Sequence, residues 1–266
     1  MLDLDAYCAR IDYRGARTPT LATLHALSEA HVRAIPFENI DVLLGRPVEL
    51  TLPALEQKLV HERRGGYCFE QNTLFLAVLE GLGFRVRPLS ARVRYQRPRE
   101  FTPARTHLCL RVELDEPWLA DVGVGSMSLT SALRLGATDE QATKHEPRRL
   151  LRENGLVYHQ VRFGDAWHDV CELTLEEMPE IDRIVANWYT SAHPGSHFKN
   201  RLLVARAAPN GTRVTLADRE LTERAADGAT TRRTVATHDE LLAVLFERFG
   251  IRLPAGARID WGHAWA

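Results

Sequence analysis

The chain has 266 residues, 45% of them hydrophobic and 26% charged, which is ordinary for a globular protein able to bury one large core or two to three smaller ones. Basic residues (34) nearly balance acidic ones (35), so the net charge of −1 leaves no electrostatic footprint for nucleic acid or an anionic membrane. No run approaches the roughly 20 apolar residues of a bilayer span. Four scattered cysteines without a CxxC argue against a disulfide scaffold.

The N-terminal MLDLDAYCAR is acidic and lacks the apolar core of a signal peptide, so a reducing cytoplasm is the expected compartment. Only Lys58, Lys144 and Lys199 are lysines; the Arg bias reads as the codon usage of a GC-rich, bacterial genome. The first eighty residues read as helical. Leu21, Leu24 and Leu27 recur at helical spacing, and the pre-proline Ile35 should end that helix. Pro53 can open a second helix through Leu55, Leu59 and Val60. From Cys68 to Glu80 the run CFEQNTLFLAVLE is polar only in its first turn, which predicts an interior helix stopped by Gly81.

At Gly83 the pattern changes to short strand-like runs separated by turn signals: VRPLSARVRY, HLCLRVEL, WLADV, LVYHQVRF and AWHDVCEL. Strands in such a series predict an antiparallel barrel or curled sheet. After Met178-Pro179 the pattern is mixed. RLLVAR and TRVTLAD flank Pro209-Asn210-Gly211, a hairpin signal. Thr237 with Glu240 marks a capping box for a last helix ending at Gly250.

Chemistry concentrates in Arg63-Arg64-Gly65-Gly66-Tyr67-Cys68-Phe69-Glu70-Gln71-Asn72. Two glycines allow a tight turn and close approach to a ligand, and the next helix then starts at or beside Cys68. Unpaired N–H groups at a helix N-terminus favour an anion, so a thiol there can act as a thiolate nucleophile. A small core cysteine is the other reading. A nucleophile needs an oriented base. His107 opens a strand-like run, and Asp121 ends the next one before Val122-Gly123-Val124-Gly125. A carboxylate buried at a strand end needs a partner, and imidazolium is a natural one. Local pattern equally allows Asp121 to cap the glycine turn and His107 to be a core histidine. A tight turn at Asp115-Glu116 would not set the two directly opposite, so the ladder must be offset there.

RRGGYCFEQN, THLCLRV and WLADVGVG occur in this order, preceded by IPFENI at Ile35 and followed by NWYTSAHP at Asn187. Over nearly the whole chain this sequence resembles the arylamine N-acetyltransferases. The resemblance implies an α+β fold with a cysteine-protease-like catalytic core: an N-terminal helical bundle (1–83) carrying the nucleophile, an antiparallel β-barrel (84–187) carrying His and Asp, and a C-terminal α/β lid (188–266). It makes Cys68 the acetyl-accepting nucleophile, His107 its base and Asp121 the group that orients His107. Phe37 becomes an aromatic wall of the acceptor pocket and Thr106 a neighbour of the substrates. Val124 stands where the family commonly has Phe, which removes a ring from that pocket.

The implied activity is a ping-pong transfer, in xenobiotic metabolism, of acetyl from acetyl-CoA to small arylamines, arylhydrazines or N-hydroxyarylamines. Acetyl-CoA is the co-substrate and no metal is expected; the oligomeric state is left open. A lactam-forming amide synthase, a cysteine hydrolase and a non-enzymatic ligand-binding relative are the competing readings. Other features read as structural. His61-Glu62 lacks the second His of a zinc HExxH, Gly123-Val124-Gly125 is a lone GxG, and Arg64 can pair with Glu38. Cys109 reads as a core thiol despite sharing a strand face with His107, and Cys8 and Cys171 carry no functional case. His193, His197 and Lys199 are candidates for holding CoA phosphates or simply form a solvated loop.

Overall fold

The computed structural model describes residues 2–254 and 256–261; Met1, Ala255 and residues 262–266 lie outside the described residues, so the outer ends of the first and last expected segments are described only from Leu2 and to Trp261. The chain begins with α1 (Leu4–Arg10), whose first turn is capped by the Asp3 carboxylate accepting from Ala6 N. In α2 (Leu21–Ala34) the Thr20 hydroxyl accepts from Thr23 N, and the pre-proline residue Ile35 ends the helix as expected. A two-residue strand, β1 (Phe37–Glu38), leads to the short α3 (Ile40–Leu43). Next comes α4 (Leu52–Leu55), with Pro53 in its first turn, running on as a π-helical turn over Glu56–His61.

The helix that begins at Cys68 is α5 (Cys68–Gly81), buried on nearly every side. Its stop is not Gly81, which is still helical, but Gly83 at φ 85°. Leu82 N and Phe84 N reach back to the carbonyls of Val78 and Leu79, a closure that needs a left-handed residue between them.

The barrel follows. Strands β2 (Arg85–Val93), β3 (His107–Glu113), β4 (Pro117–Ala120), β5 (Leu133–Arg134), β6 (Arg148–Glu153), β7 (Leu156–Phe163) and β8 (Ala166–Glu177) form an antiparallel sheet in the order β5-β4-β3-β2-β8-β7-β6. It curls until its edges meet. Gln141 exchanges backbone bonds with Arg148 beside β6 while its side chain bridges to Arg134 of β5. The short β5 and the Arg-rich β6 carry no sustained apolar alternation, and their pairing is decided by this closure.

Past Pro179 the structure places α6 (Glu180–Ala192) where the sequence pattern looked mixed. Strands β9 (Leu203–Ala207), β10 (Arg213–Ala217), β11 (Glu220–Arg224) and β12 (Thr230–Thr234) then join β1 in a second antiparallel sheet, β1-β9-β10-β11-β12. The expected hairpin around Pro209-Asn210-Gly211 connects β9 to β10. The last helix, α7 (His238–Phe249), begins with the Thr237 hydroxyl accepting from Glu240 N and ends at the left-handed Gly250. The capping box is shifted by one residue, because the Glu240 carboxylate accepts from Ala236 N. Among the described residues no helix is long and apolar enough to cross a membrane.

Burial explains the assembly. One core lies under α1, α2 and α5 and continues into Leu110, Val112 and Ala120 of the barrel. A second fills the barrel, and a third packs α7 on one face of the second sheet. A fourth, smaller core joins them: Phe37, Tyr67, Cys68 and Phe69 meet Leu108, Met178, Ala186 and Ala205. The expected nucleophile therefore sits where helices, barrel and second sheet converge.

Candidate active site

The loop before Cys68 is shaped by close approach of protein to protein. A Cβ on Gly65 would stand 2.1 Å from the Pro36 carbonyl oxygen, so only glycine lets the loop lie against the β1 segment. Gly66 accepts there from Glu38 N at 3.0 Å, and the left-handed turn is taken by Arg63 at φ 55°. The glycines thus let the loop lie against the β1 segment and the side chain of Glu70. The Glu70 carboxylate accepts from Tyr67 N at 3.0 Å and so caps α5 at the residue before Cys68.

Beneath this loop lies a buried charge cluster. Arg64 donates to Glu38 Oε1 through Nε (3.0 Å) and Nη2 (2.7 Å) and to Asp41 at 3.2 Å. Lys58 Nζ bridges Glu70 at 2.6 Å and Asp41 at 2.7 Å. The pairing of Arg64 with Glu38 is as expected. Removing one partner leaves the other charge buried and unpaired. Arg64→Met is therefore expected to lower the unfolding free energy by about 3 kcal/mol or more, read from urea denaturation; a loss under about 1 kcal/mol would show that water replaces the pair.

His107 and Asp121 meet through the hairpin of β3 and β4. Glu113 pairs with Pro117 across a three-residue connection, and Leu110 faces Ala120. Asp121 lies one residue beyond β4, not at its end, and continuing the ladder would set it against Cys109. His107, two positions away on the same face, is its diagonal neighbour. That diagonal is the offset the sequence required. The His107 Nε2–Asp121 Oδ2 distance is 2.7 Å, and both side chains are buried. This bond leaves Nδ1 unengaged by Asp121, and the Cys68 side chain is near enough to the ring to raise its proton affinity. Burial alone would lower the imidazole, but the Asp121 carboxylate outweighs it and, with Cys68, lifts His107 from its ordinary 6.5 to about 10.

The residue that ties these parts together went unremarked in the sequence. Asn72, one turn after Cys68 on α5, donates to Asp121 Oδ1 at 3.0 Å and to the Leu108 carbonyl at 2.7 Å, and accepts from Val122 N at 3.1 Å. One side chain thus links the helix of Cys68 to Asp121 and to the neighbours of His107 and Asp121. Gly123 N supplies a second donor to Asp121 Oδ1 at 3.0 Å, and a Cβ on Gly123 would press 2.8 Å from the Cys68 Cα. The only sequence signal was the i, i+4 spacing of Cys68 and Asn72, which by itself says nothing of a partner from another segment.

Cys68 is 4% exposed, yet it opens onto a cleft of about 960 Å³. Of the expected site residues, Phe37, Thr106, His107 and Val124 line this cleft with it, whereas Asp121 is not among the lining residues and stands behind His107. Thr106 contributes its carbonyl, which accepts from the Cys68 thiol at 3.6 Å. Phe37 and Phe198 approach each other at 6.1 Å between ring centroids. His197 also lines the cleft, while His193 stacks on Tyr189. Toward the second sheet the lining becomes polar and cationic, with Arg213, Thr215, Thr222 and Arg224.

The other thiols differ in kind. Burial pushes Cys109 and Cys171 well above their ordinary range and raises Cys8. The Cys171 sulfur is closer to the site than its sequence context suggested, within 4.8 Å of the His107 and Asp121 ligand atoms. These three side chains are metal-type ligands, but the His107–Asp121 hydrogen bond already engages the two harder donors.

The surroundings of Cys68 can be set beside known proteins. A family model described as N-acetyltransferase matches residues 20–258. An arylamine N-acetyltransferase of Mycolicibacterium smegmatis is 44% identical over 259 residues, covering 95% of this chain and 93% of the relative. A Salmonella typhimurium protein named arylamine N-acetyltransferase / N-hydroxyarylamine O-acetyltransferase is 39% identical, over 93% of this chain and 88% of its own. Among solved structures, Mycobacterium marinum arylamine N-acetyltransferase in complex with CoA superposes with a TM-score of 0.90 at 40% identity, covering 94% of this chain and 93% of that one.

Proposed function

This chain belongs to the arylamine N-acetyltransferase family, and from that premise we propose that it moves an acetyl group from acetyl-CoA to arylamines, arylhydrazines or N-hydroxyarylamines through an acetyl-cysteine on Cys68. The observation that carries the assignment of roles is the position of Cys68 beside an imidazole that is itself bonded to a buried carboxylate at 2.7 Å. No other described cysteine opens onto the cleft.

In the first half-reaction the Cys68 thiolate, with the His107 imidazolium as counter-ion, attacks the thioester carbonyl. The carbon–sulfur bond to Cys68 forms, the bond to CoA breaks, and His107 gives its proton to the departing CoA sulfur. Exchanging one thioester for another is nearly balanced, so this step needs a good nucleophile more than a strong acid. In the second half an aromatic amine, a weak base that arrives neutral, attacks the acetyl carbon. His107 takes the amine proton as the bond forms, the amide departs, and the thiolate–imidazolium pair is restored. Asp121 keeps the ring in the tautomer and orientation both halves need. Phe37, Thr106 and Val124 border the acceptor, and valine at 124 leaves more room than an aromatic ring. A CoA-dependent thiol enzyme fits a reducing cytoplasm and a role in clearing foreign aromatic amines.

Acetyl-CoA alone, followed by intact-mass analysis, tests this. One acetyl group is expected, on Cys68 by peptide mapping, and it persists until an arylamine or hydrazine discharges it. Continuous CoA release without an amine would make the protein a hydrolase. No acetylation at any pH would remove acetyl-CoA as donor.

A further inference from the structure

Among the described residues, the large apolar side chains left most open to solvent fall on one helix. On α6, Ile181 is 63% exposed, Ile184 50%, Val185 59% and Trp188 59%. Their spacing, i, i+3, i+4, i+7, makes one continuous stripe. The opposite face is fixed to the body. Ala186, Asn187 and Thr190 are buried, Asn187 donates to the Val48 carbonyl at 2.9 Å, and its own side-chain oxygen accepts from the Tyr67 hydroxyl. A well-anchored helix that spends four large apolar side chains on water presents a surface that another body covers.

We propose that this face of α6 is a self-association surface on which a second copy of the chain docks, with the two helices antiparallel about a twofold axis. The stripe is symmetric about the point between Ile184 and Val185. A twofold axis there sets Ile181 against the partner's Trp188 and Ile184 against the partner's Val185, so every apolar side chain meets an apolar one and the contact closes on itself. Full coverage of four such exposed side chains on both copies, with their flanks added, would reach the roughly 1,000 Å² that a specific interface must clear. The antiparallel arrangement also sets the negative end of one helix dipole beside the positive end of the other. An anionic lipid surface fits poorly. Helices that lie on membranes carry several Lys and Arg beside the stripe, whereas α6 has Arg183 alone beside it, among Glu180 and Asp182 and just after Glu176 and Glu177. The same helix lends Tyr189 and Thr190 to the cleft wall, so the dimer would brace that wall.

Sedimentation equilibrium on the full chain, from roughly 1 to 100 μM, is expected to show a concentration-dependent dimer. Ile184→Glu should stay monomeric throughout, with unchanged circular dichroism and an unchanged acetyl-transfer rate at high dilution. Val185→Cys adds an exposed thiol near the axis to a chain whose four own cysteines are buried. Mild oxidation should therefore give a reducible covalent dimer. A wild-type monomer at every concentration, a dimer that survives Ile184→Glu, or no cross-link through Val185→Cys would overturn the proposal. So would binding to phosphatidylcholine or phosphatidylserine vesicles that Ile184→Glu abolishes, since the stripe would then belong to a lipid surface. The sedimentation, cross-linking and vesicle readings do not depend on which acyl transfer the cleft performs.

Discussion

Replacing Cys68 by alanine is expected to abolish acetyl transfer, with kcat/KM falling by roughly 10⁴-fold or more, because no other described thiol lines the cleft to carry the acetyl between half-reactions. The fold should survive. The side chain is small, it borders a cleft, and its donation to the Thr106 carbonyl at 3.6 Å is a weak sulfur contact. Intact mass after incubation with acetyl-CoA should show no acetyl group on Cys68→Ala, and one on Cys8→Ala at close to the wild-type rate. Cys8 lies in the helical core and its thiol is pushed up by burial, so it offers neither access nor a thiolate. Equal loss in both variants would remove Cys68 from its assigned role.

Asp121→Asn has the second largest expected effect, and its pH dependence separates orientation from simple damage. In the folded protein burial lowers His107 and the carboxylate overcomes that, holding the imidazole at about 10. With an amide in place of the carboxylate the main raising influence is gone and Cys68 alone opposes burial, so His107 shifts toward its neutral form at pH 7 and Cys68 loses much of its counter-ion. The amide can also offer its NH₂ to Nε2 and trap the wrong tautomer. A loss of about 10³-fold in the rate of Cys68 acetylation at pH 7 is expected, with partial recovery as pH falls and the ring regains its proton. A loss below about tenfold, or one independent of pH, would show that Asp121 does not set the charge of His107. Stability should follow the same linkage. His107 binds its proton more tightly folded than unfolded, so the pair's contribution is complete below about pH 6.5 and disappears as pH rises through about 10. Asp121→Asn should flatten that alkaline decline in a urea-midpoint series.

Much of the fold was legible because its elements obey local rules. Ile35 stops α2 through the proline that follows, Thr237 and Gly250 bracket α7, and β3, β7 and β8 announce themselves by apolar, β-rich runs between turn signals. The misses share one cause. The two-residue β1 and β5, the charged β6 and the exposed β12 pair because a neighbouring strand is already in place. The helix α6 is amphipathic with its apolar stripe outward, so its pattern does not mark a buried face. Gly81 was the expected stop, and only the backbone bonds of Leu82 and Phe84 move it to Gly83.

The site divides along the same line. By its residue types and their order, the sequence determined that a thiol at a helix start, a histidine and an aspartate were present, and that the family pattern surrounded them. It could not determine that they converge. Cys68, His107 and Asp121 belong to a helix and to two ends of a hairpin, and their meeting depends on the diagonal register of β3 with β4. It depends as well on Asn72 bridging α5 to both strands and on Gly123 leaving space against Cys68. The proton affinity of His107 was also beyond the sequence, since it is a balance between burial and one carboxylate 2.7 Å away. Local backbone preference is written residue by residue, whereas register, burial and electrostatic balance exist only between segments once the chain has packed.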